Sequence, residues 1–160
     1  MNVTPMNYVI ISWNVRGLGE HVKRSVVRDT LVNAHPSITC LQETKLNDLQ
    51  NTPPSTFLPR NLDAYLEIDS TNTRGGVITA WDSTAFTATS SLSQRHSLTV
   101  FLRSTASNYS FAITNVYAPS NRNDSPTFLA DLRSLATHIP GCWLLAGDFN
   151  LTRSTADNNN

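Results

Sequence analysis

From Tyr8 to Val15 the chain hardly alternates: Tyr-Val-Ile-Ile-Ser-Trp-Asn-Val is a nearly continuous β-branched and aromatic run that Arg16-Gly17-Leu18-Gly19 stops. Such a run predicts a buried strand ending in a turn, with Asn14 as its last polar side chain. Between Glu20 and Ala34 the period changes. Val22, Val26, Val27, Leu31 and Ala34 recur near helical spacing among Lys23, Arg24, Arg28 and Asp29, and Pro36 closes the segment, which predicts an amphipathic helix. Ile38 to Leu41 is a second short apolar strand, delivering Gln42 and Glu43 at its end.

The stretch from Asn47 to Asn61 carries Pro53, Pro54 and Pro59, which lack the ladder donor, so it is expected as a loop over the surface. Tyr65 to Ile68 and Val77 to Trp81 flank a polar turn holding Arg74-Gly75-Gly76, and Leu98 to Arg103 and Tyr109 to Tyr117 flank Ser104 to Asn108; both pairs predict antiparallel hairpins. Ser125-Pro126 is a capped helix start, followed by Phe128, Leu129, Leu132, Leu135 and Ala136 on one face, with the helix expected to end near Gly141. Trp143 to Ala146 predicts a last buried strand running into Gly147-Asp148-Phe149-Asn150. Leu151 to Asn160 has no packable pattern and reads as a frayed tail, and no internal repeat is present.

Composition narrows the picture only a little. The 160 residues are 39% hydrophobic, enough for the core of one domain spanning 1–160 with its motif-bearing part at 8–150. Twelve basic and twelve acidic side chains cancel, so no long-range field draws nucleic acid or an anionic membrane, and a phosphate substrate would have to be held by local groups. Cys40 and Cys142 sit in apolar runs without CxxC spacing, which favours buried free thiols over a metal cage or disulfide. The start lacks a basic region, and the apolar stretch from Tyr8 to Trp13 is too short for a signal core or membrane span, so the expectation is an intracellular protein, in nucleus or cytoplasm, with no membrane partner.

The candidate chemistry lies at strand ends. A strand–helix–strand crossover from Tyr8 to Glu43 presents both carboxyl ends at one sheet edge, making Asn14 and Glu43 neighbours; the strands ending at Val116 and Gly147 would add Tyr117, Asp148 and Asn150. One or two carboxylates among amide and phenol oxygens suit a hard hydrated cation such as Mg²⁺. Taken singly each residue has an ordinary reading: Asn14 and Asn150 as turn or loop caps, Tyr117 as a core edge, Glu43 as a solvated strand end and Asp148 as turn chemistry. His21, His35, His96 and His138 stand apart without ligand spacing and read as surface or helix-end histidines.

As a set, the segments resemble a known superfamily. Ser12-Trp13-Asn14-Val15-Arg16-Gly17, Leu41-Gln42-Glu43-Thr44-Lys45, Gly75-Gly76-Val77, Asn115-Val116-Tyr117-Ala118-Pro119 and Gly147-Asp148-Phe149-Asn150 look like the successive motifs of the endonuclease/exonuclease/phosphatase superfamily, in order and spacing. They are most similar to the apurinic-endonuclease-like domain of plant non-LTR, LINE-type retrotransposons. The resemblance implies an α/β fold, a four-layer α/β/β/α sandwich of two mixed sheets, cleaving phosphodiester bonds in DNA with Mg²⁺ or Mn²⁺, with a reverse transcriptase downstream in the parent polyprotein. It implies further that Glu43 binds the metal with support from Asn14. Tyr117 would orient the phosphate, Asp148 would align or deprotonate the attacking water, and Asn150 would steady the phosphoryl oxygens.

The sequence also departs from that pattern. Superfamily members continue to a late Asp and a Ser-Asp-His motif whose histidine acts in hydrolysis, whereas ten residues follow Asn150 here. A second sheet incomplete at the C-terminus, with exposed edges and marginal stability, is therefore expected. Two alternatives stand beside the nuclease: an inactive truncated copy that keeps at most metal or phosphate binding, and a phosphatase-type member of the same superfamily.

Overall fold

The run after Val9 forms β1 (Ile10–Asn14), and after helix α1 (His21–Ala34) the chain returns as β2 (Ile38–Gln42), parallel to β1 with Asn14 opposite Gln42. Helix α1 stops because His35 takes left-handed backbone (φ 47°) and Pro36 cannot continue the hydrogen-bond ladder. Strands β3 (Ala64–Ile68) and β4 (Val77–Trp81) pair antiparallel, and β4 joins β2, so the first sheet runs β1-β2-β4-β3. Strands β5 (Phe86–Gln94), β6 (Ser97–Ser104) and β7 (Ser110–Tyr117) form an antiparallel meander. Helix α2 (Ser125–Ala136) then crosses over to β8 (Cys142–Asp148), which lies parallel to β7. This computed structural model describes residues 7–47, 49, 51–70 and 75–151.

Strand parity sorts the core into layers. Ile38 and Cys40 of β2 and Val77 and Trp81 of β4 meet Leu98, Val100 and Leu102 of β6 and Ile113 of β7 between the sheets. On the outer side of the first sheet, Leu41, Ile78 and Ala80 pack under Val27 and Leu31 of α1. Ala112 with Leu135 and Val116 with Phe128 fix α2 to the outer side of the second sheet. Burying a side chain such as Leu31 or Leu135 contributes roughly 1.5–3 kcal/mol, so each helix is held mainly by two such residues. The layers are helix, sheet, sheet, helix, and both sheets are mixed, as the motifs implied.

Several local expectations need correction. The strands expected to be buried at both ends of the chain are edge strands: among the described residues β1 pairs only with β2 and β8 only with β7, leaving Ile10, Leu144 and Leu145 exposed. An apolar run reports strand character but not how many neighbours the strand has. For the same reason Cys142 is exposed while Cys40 is buried. On α1 only Val27 and Leu31 are buried, and Val22 and Val26 face out. Helix α2 starts at Ser125 with Pro126 in its first turn, but no side chain caps it, since Asp124 at the N-cap position makes no cap bond; it ends at Ala136, where Thr137 and His138 form a turn before Gly141 (φ 89°) leads into β8. The proline-rich segment is irregular as expected, yet its Phe57 and Leu58 are buried in the core beneath α1 rather than lying over the surface. Strand β5 has no counterpart in the sequence reading. Arg74 and the tail from Thr152 lie outside the described residues, and among those described no helix is long and apolar enough to cross a membrane.

Candidate active site

Because β1 and β2 are parallel, Asn14 and Glu43 leave the sheet at the same edge. Backbone bonds continue past the strand ends: Val15 N–H donates to Gln42 O (3.0 Å), Gly17 N–H to Glu43 O (2.7 Å) and Leu18 N–H to Thr44 O (2.8 Å). On the other side, Thr44 N–H reaches Gly76 O (3.2 Å) and Lys45 N–H reaches Gly75 O (2.6 Å). The loop carrying Glu43 is thus held between two others. Within it Glu43 (φ 55°) and Lys45 (φ 54°) adopt left-handed backbone, a conformation costly for residues with a Cβ that persists only where the surroundings impose it.

The second sheet supplies the opposite wall. Tyr117 and Asp148 are register partners on β7 and β8, and Ala118 N–H donates to Asp148 O at 2.9 Å. Asp148 Oδ1 accepts from Asn150 N–H (3.0 Å), while Asn150 Nδ2 donates to Ala118 O (2.9 Å), which ties down the turn after β8. Gly147 permits this approach, since its backbone (φ 145°) lies so close to β7 that a Cβ would sit 2.0 Å from Val116 O.

The two walls meet directly. Asn14 Nδ2 donates to Asp148 Oδ2 at 2.7 Å, joining residues 134 positions apart. Asn14 Oδ1 accepts from Arg16 N–H (3.1 Å), which sets the amide's direction. At Gly75 a Cβ would lie 2.8 Å from Tyr117 Cε1 and 3.0 Å from Glu43 Cγ, so that glycine stands between the phenol ring and the Glu43 side chain. The Tyr117 phenol is pushed above its ordinary pKa, first by burial and then by the Glu43 and Asp148 carboxylates, so it stays protonated at neutral pH. The five residues singled out in the sequence therefore gather at one rim: Asn14 bonds Asp148, the Tyr117 phenol feels both the Glu43 and the Asp148 carboxylates, and Asn150 braces the adjoining turn.

Three neighbours were not singled out. Gly75 makes room between Tyr117 and Glu43. Lys45 Nζ pairs with Glu43 Oε1 at 2.9 Å, the lysine side chain 58% and the glutamate 19% exposed, and this bond raises the lysine's pKa. His96, expected on the surface or at a helix end, is half-buried in the turn between β5 and β6, its Nδ1 3.2 Å from the Tyr117 carbonyl. Only the strand pairing brings His96 to Tyr117, so no local pattern announced it.

Among the described residues no three His, Cys, Asp or Glu side chains gather into a cage for an ion. The donors at the rim are all oxygens: the Glu43 carboxylate, already facing one cation in Lys45, and Asn14 Oδ1, which keeps a second lone pair. Such a set fits Mg²⁺ or Mn²⁺, which take one or two protein carboxylates and complete their shell with water and substrate oxygen.

Residues 11–160 match the family model described as the Endonuclease/Exonuclease/phosphatase family. Among solved structures, the AP endonuclease LMAP from Leishmania major superposes with a TM-score of 0.67 at 23% identity over 96% of this chain. A humanized D. rerio TDP2 superposes with a TM-score of 0.69 at 19% identity over 94% of the chain. ANGEL2, a 2′,3′-cyclic phosphatase, gives 0.69 at 16% identity over 92%. The chain spans 58%, 68% and 55% of those three chains respectively.

Proposed function

Since the chain belongs to the endonuclease/exonuclease/phosphatase family, we propose that its rim hydrolyses phosphodiester bonds in DNA. The observation that carries this reading is the junction of the two sheets, where Asn14 bonds Asp148 and Glu43 stands across Gly75 from Tyr117. Enzymes of this family generally use divalent metal ions. Glu43 and Asn14 would hold Mg²⁺ or Mn²⁺, which when bound polarises a phosphoryl oxygen and offsets its developing charge. Tyr117, kept protonated, donates a hydrogen bond to a phosphoryl oxygen. Asp148, fixed by Asn14 and by the Asn150 backbone, aligns the attacking water and accepts its proton. Asn150 keeps Asp148 in place through its backbone N–H, and its side-chain amide, one N–H of which goes to Ala118 O, would steady a phosphoryl oxygen with the other. Water oxygen bonds phosphorus as the bond to one sugar oxygen breaks; one water proton goes to Asp148 and the leaving sugar oxygen takes a proton from solvent, giving a phosphomonoester and a hydroxyl.

The order and spacing of the five motifs support a finer origin, the endonuclease domain of a plant LINE-type element whose polyprotein continues into a reverse transcriptase. A second reading, phosphate removal, stands beside it, since ANGEL2, a 2′,3′-cyclic phosphatase, shares this fold. The test is nicking of supercoiled plasmid by the wild-type chain with Mg²⁺, with a chelator, and by Glu43→Gln, alongside phosphate release from phosphomonoesters and Mn²⁺ binding by electron paramagnetic resonance. Metal-dependent nicking and Mn²⁺ binding that both disappear in Glu43→Gln are expected. Phosphate release without nicking would transfer the site to the second reading. Identical background in every sample would leave a chain without this activity.

A further inference from the structure

Beside the carboxylates lies a cavity of about 550 Å³, which shares Tyr117 and Gly75 with the rim. Its walls are of three kinds. Ile68, Val77 and Pro119 supply apolar surface, three serines supply hydroxyls, and Lys45, Arg95 and His96 bring basic side chains, while among the described residues no acidic side chain lines it. Lys45 is already paired with Glu43, so the positive charge open to a ligand there is that of the exposed Arg95. The histidine is held from two sides: Tyr117 N–H donates to His96 O at 3.0 Å, and His96 Nδ1 lies 3.2 Å from Tyr117 O. Its ring also meets Phe128 edge-on at 6.1 Å. Arg95 precedes it in the same turn, exposed and free of any packing requirement in the core. The volume lies within the roughly 300–1,000 Å³ of sites that enclose small organic ligands, and is more than a bare phosphate fills.

We propose that this cavity is a subsite for one nucleotide of the strand being cut, the unit next to the phosphate at Glu43 and Tyr117. Its sugar and base rest against Ile68, Val77 and Pro119, and its own phosphate faces Arg95. The inference rests on the phosphodiester reading proposed above and names where that substrate is gripped. Apolar surface beside hydroxyl groups and the Arg95 guanidinium matches a nucleotide, which carries an apolar ring face and an anionic phosphate on one frame.

The test is binding of a short fluorescein-labelled DNA oligonucleotide by fluorescence anisotropy in chelator, so that cleavage plays no part. Arg95→Glu, whose fold is checked by circular dichroism, is expected to weaken binding about tenfold, and Arg95→Ala to lower the slope of log affinity against log salt by about 1. Arg28→Glu, an equal charge reversal on the exposed side of α1, is expected to change affinity less than twofold. Thymidine 5′-monophosphate should displace the oligonucleotide at lower concentration than inorganic phosphate does. The subsite is refuted if wild type does not bind, if Arg95→Glu and Arg28→Glu behave alike, or if phosphate competes as well as the nucleotide. Glu43-dependent nicking with Arg95-independent binding would sink the subsite and keep the hydrolase. Arg95-dependent, nucleotide-preferring binding without nicking would do the reverse.

Discussion

Gln42 and Asn115 join the two sheets through one amide pair: Gln42 Nε2 donates to Asn115 Oδ1 at 2.8 Å across 73 positions of sequence. Asn115 Nδ2 in turn donates to Ile78 O (2.9 Å) and Leu41 O (3.2 Å), and Gln42 Nε2 also reaches Cys40 O (2.9 Å). Both side chains are buried between the sheets, where Asn115 Nδ2 also reaches the buried Thr79 Oγ1 at 3.3 Å. Sliding one sheet over the other would strand the groups bonded across them, so the pair sets the alignment that brings Glu43, one residue on, toward Tyr117, two residues on.

Asn115→Leu should therefore destabilise the chain by about 2–4 kcal/mol in urea denaturation, since Gln42 and two carbonyls lose their partner. In a double-mutant cycle with Gln42→Leu the two losses should fail to add by about 1–3 kcal/mol. Additive effects, or a single-variant loss below about 0.5 kcal/mol, would show that the amide pair does not lock the sheets.

The legible parts of this molecule were those where a strong apolar run ends on a polar residue. Asn14, Glu43, Tyr117 and Asp148 all sit at such ends, and the parallel crossovers predict that they converge. Asn115 was read only as part of the Tyr117 motif, because its partner lies in the other sheet. Strand β5 escaped notice because Thr87 to Gln94 is mostly Ser and Thr and mostly exposed, so it shows no apolar alternation. Leu144 and Leu145 misled in the opposite sense, as their apolar run lies on a sheet edge.

The glycines separate stability from site geometry. Gly147→Ala places a Cβ against Val116 backbone at 2.0 Å and should cost several kcal/mol, about 3 or more, because neither strand can yield. Gly75→Ala meets the Tyr117 ring at 2.8 Å and Glu43 Cα at 3.1 Å, and should cost about 1–2 kcal/mol while abolishing Mn²⁺ binding. Gly19→Ala meets nothing within 4 Å and should melt within a degree or two of wild type. Thermal melts with Mn²⁺ titrations of the three variants check the ranking, and Gly147→Ala melting like Gly19→Ala would contradict it.

The two thiols should react at very different rates. Cys40 is fully buried and burial pushes its pKa up to about 12, against a weaker opposing hydrogen bond with Thr79, so it has neither access nor thiolate at neutral pH. Cys142 is exposed. A chromogenic disulfide reagent should titrate one thiol in the native protein and two in denaturant, with Cys142→Ser removing the native signal. Two rapid native thiols would mean that the inter-sheet layer opens readily.

Tyr117 reports on the carboxylates around it. Burial raises its phenol pKa most, then Glu43, then Asp148, while Lys45 opposes them. A raised folded pKa means that the unfolded chain gives up this proton first, near the ordinary value of about 10, so the contribution to stability is present below that pH and is lost as pH climbs through the folded value. In ¹³C-tyrosine NMR, with the signal assigned through Tyr117→Phe, Glu43→Gln should lower the titration midpoint and Asp148→Asn should lower it less. Lys45→Met should raise it, because the carboxylates then act without the neighbouring ammonium. A divalent ion at Glu43 should shift the midpoint in the same direction as Glu43→Gln, through neutralised charge, and have no such effect in that variant. A midpoint unmoved by any of these changes would place Tyr117 outside the electrostatic reach of Glu43, and the rim would not be one site.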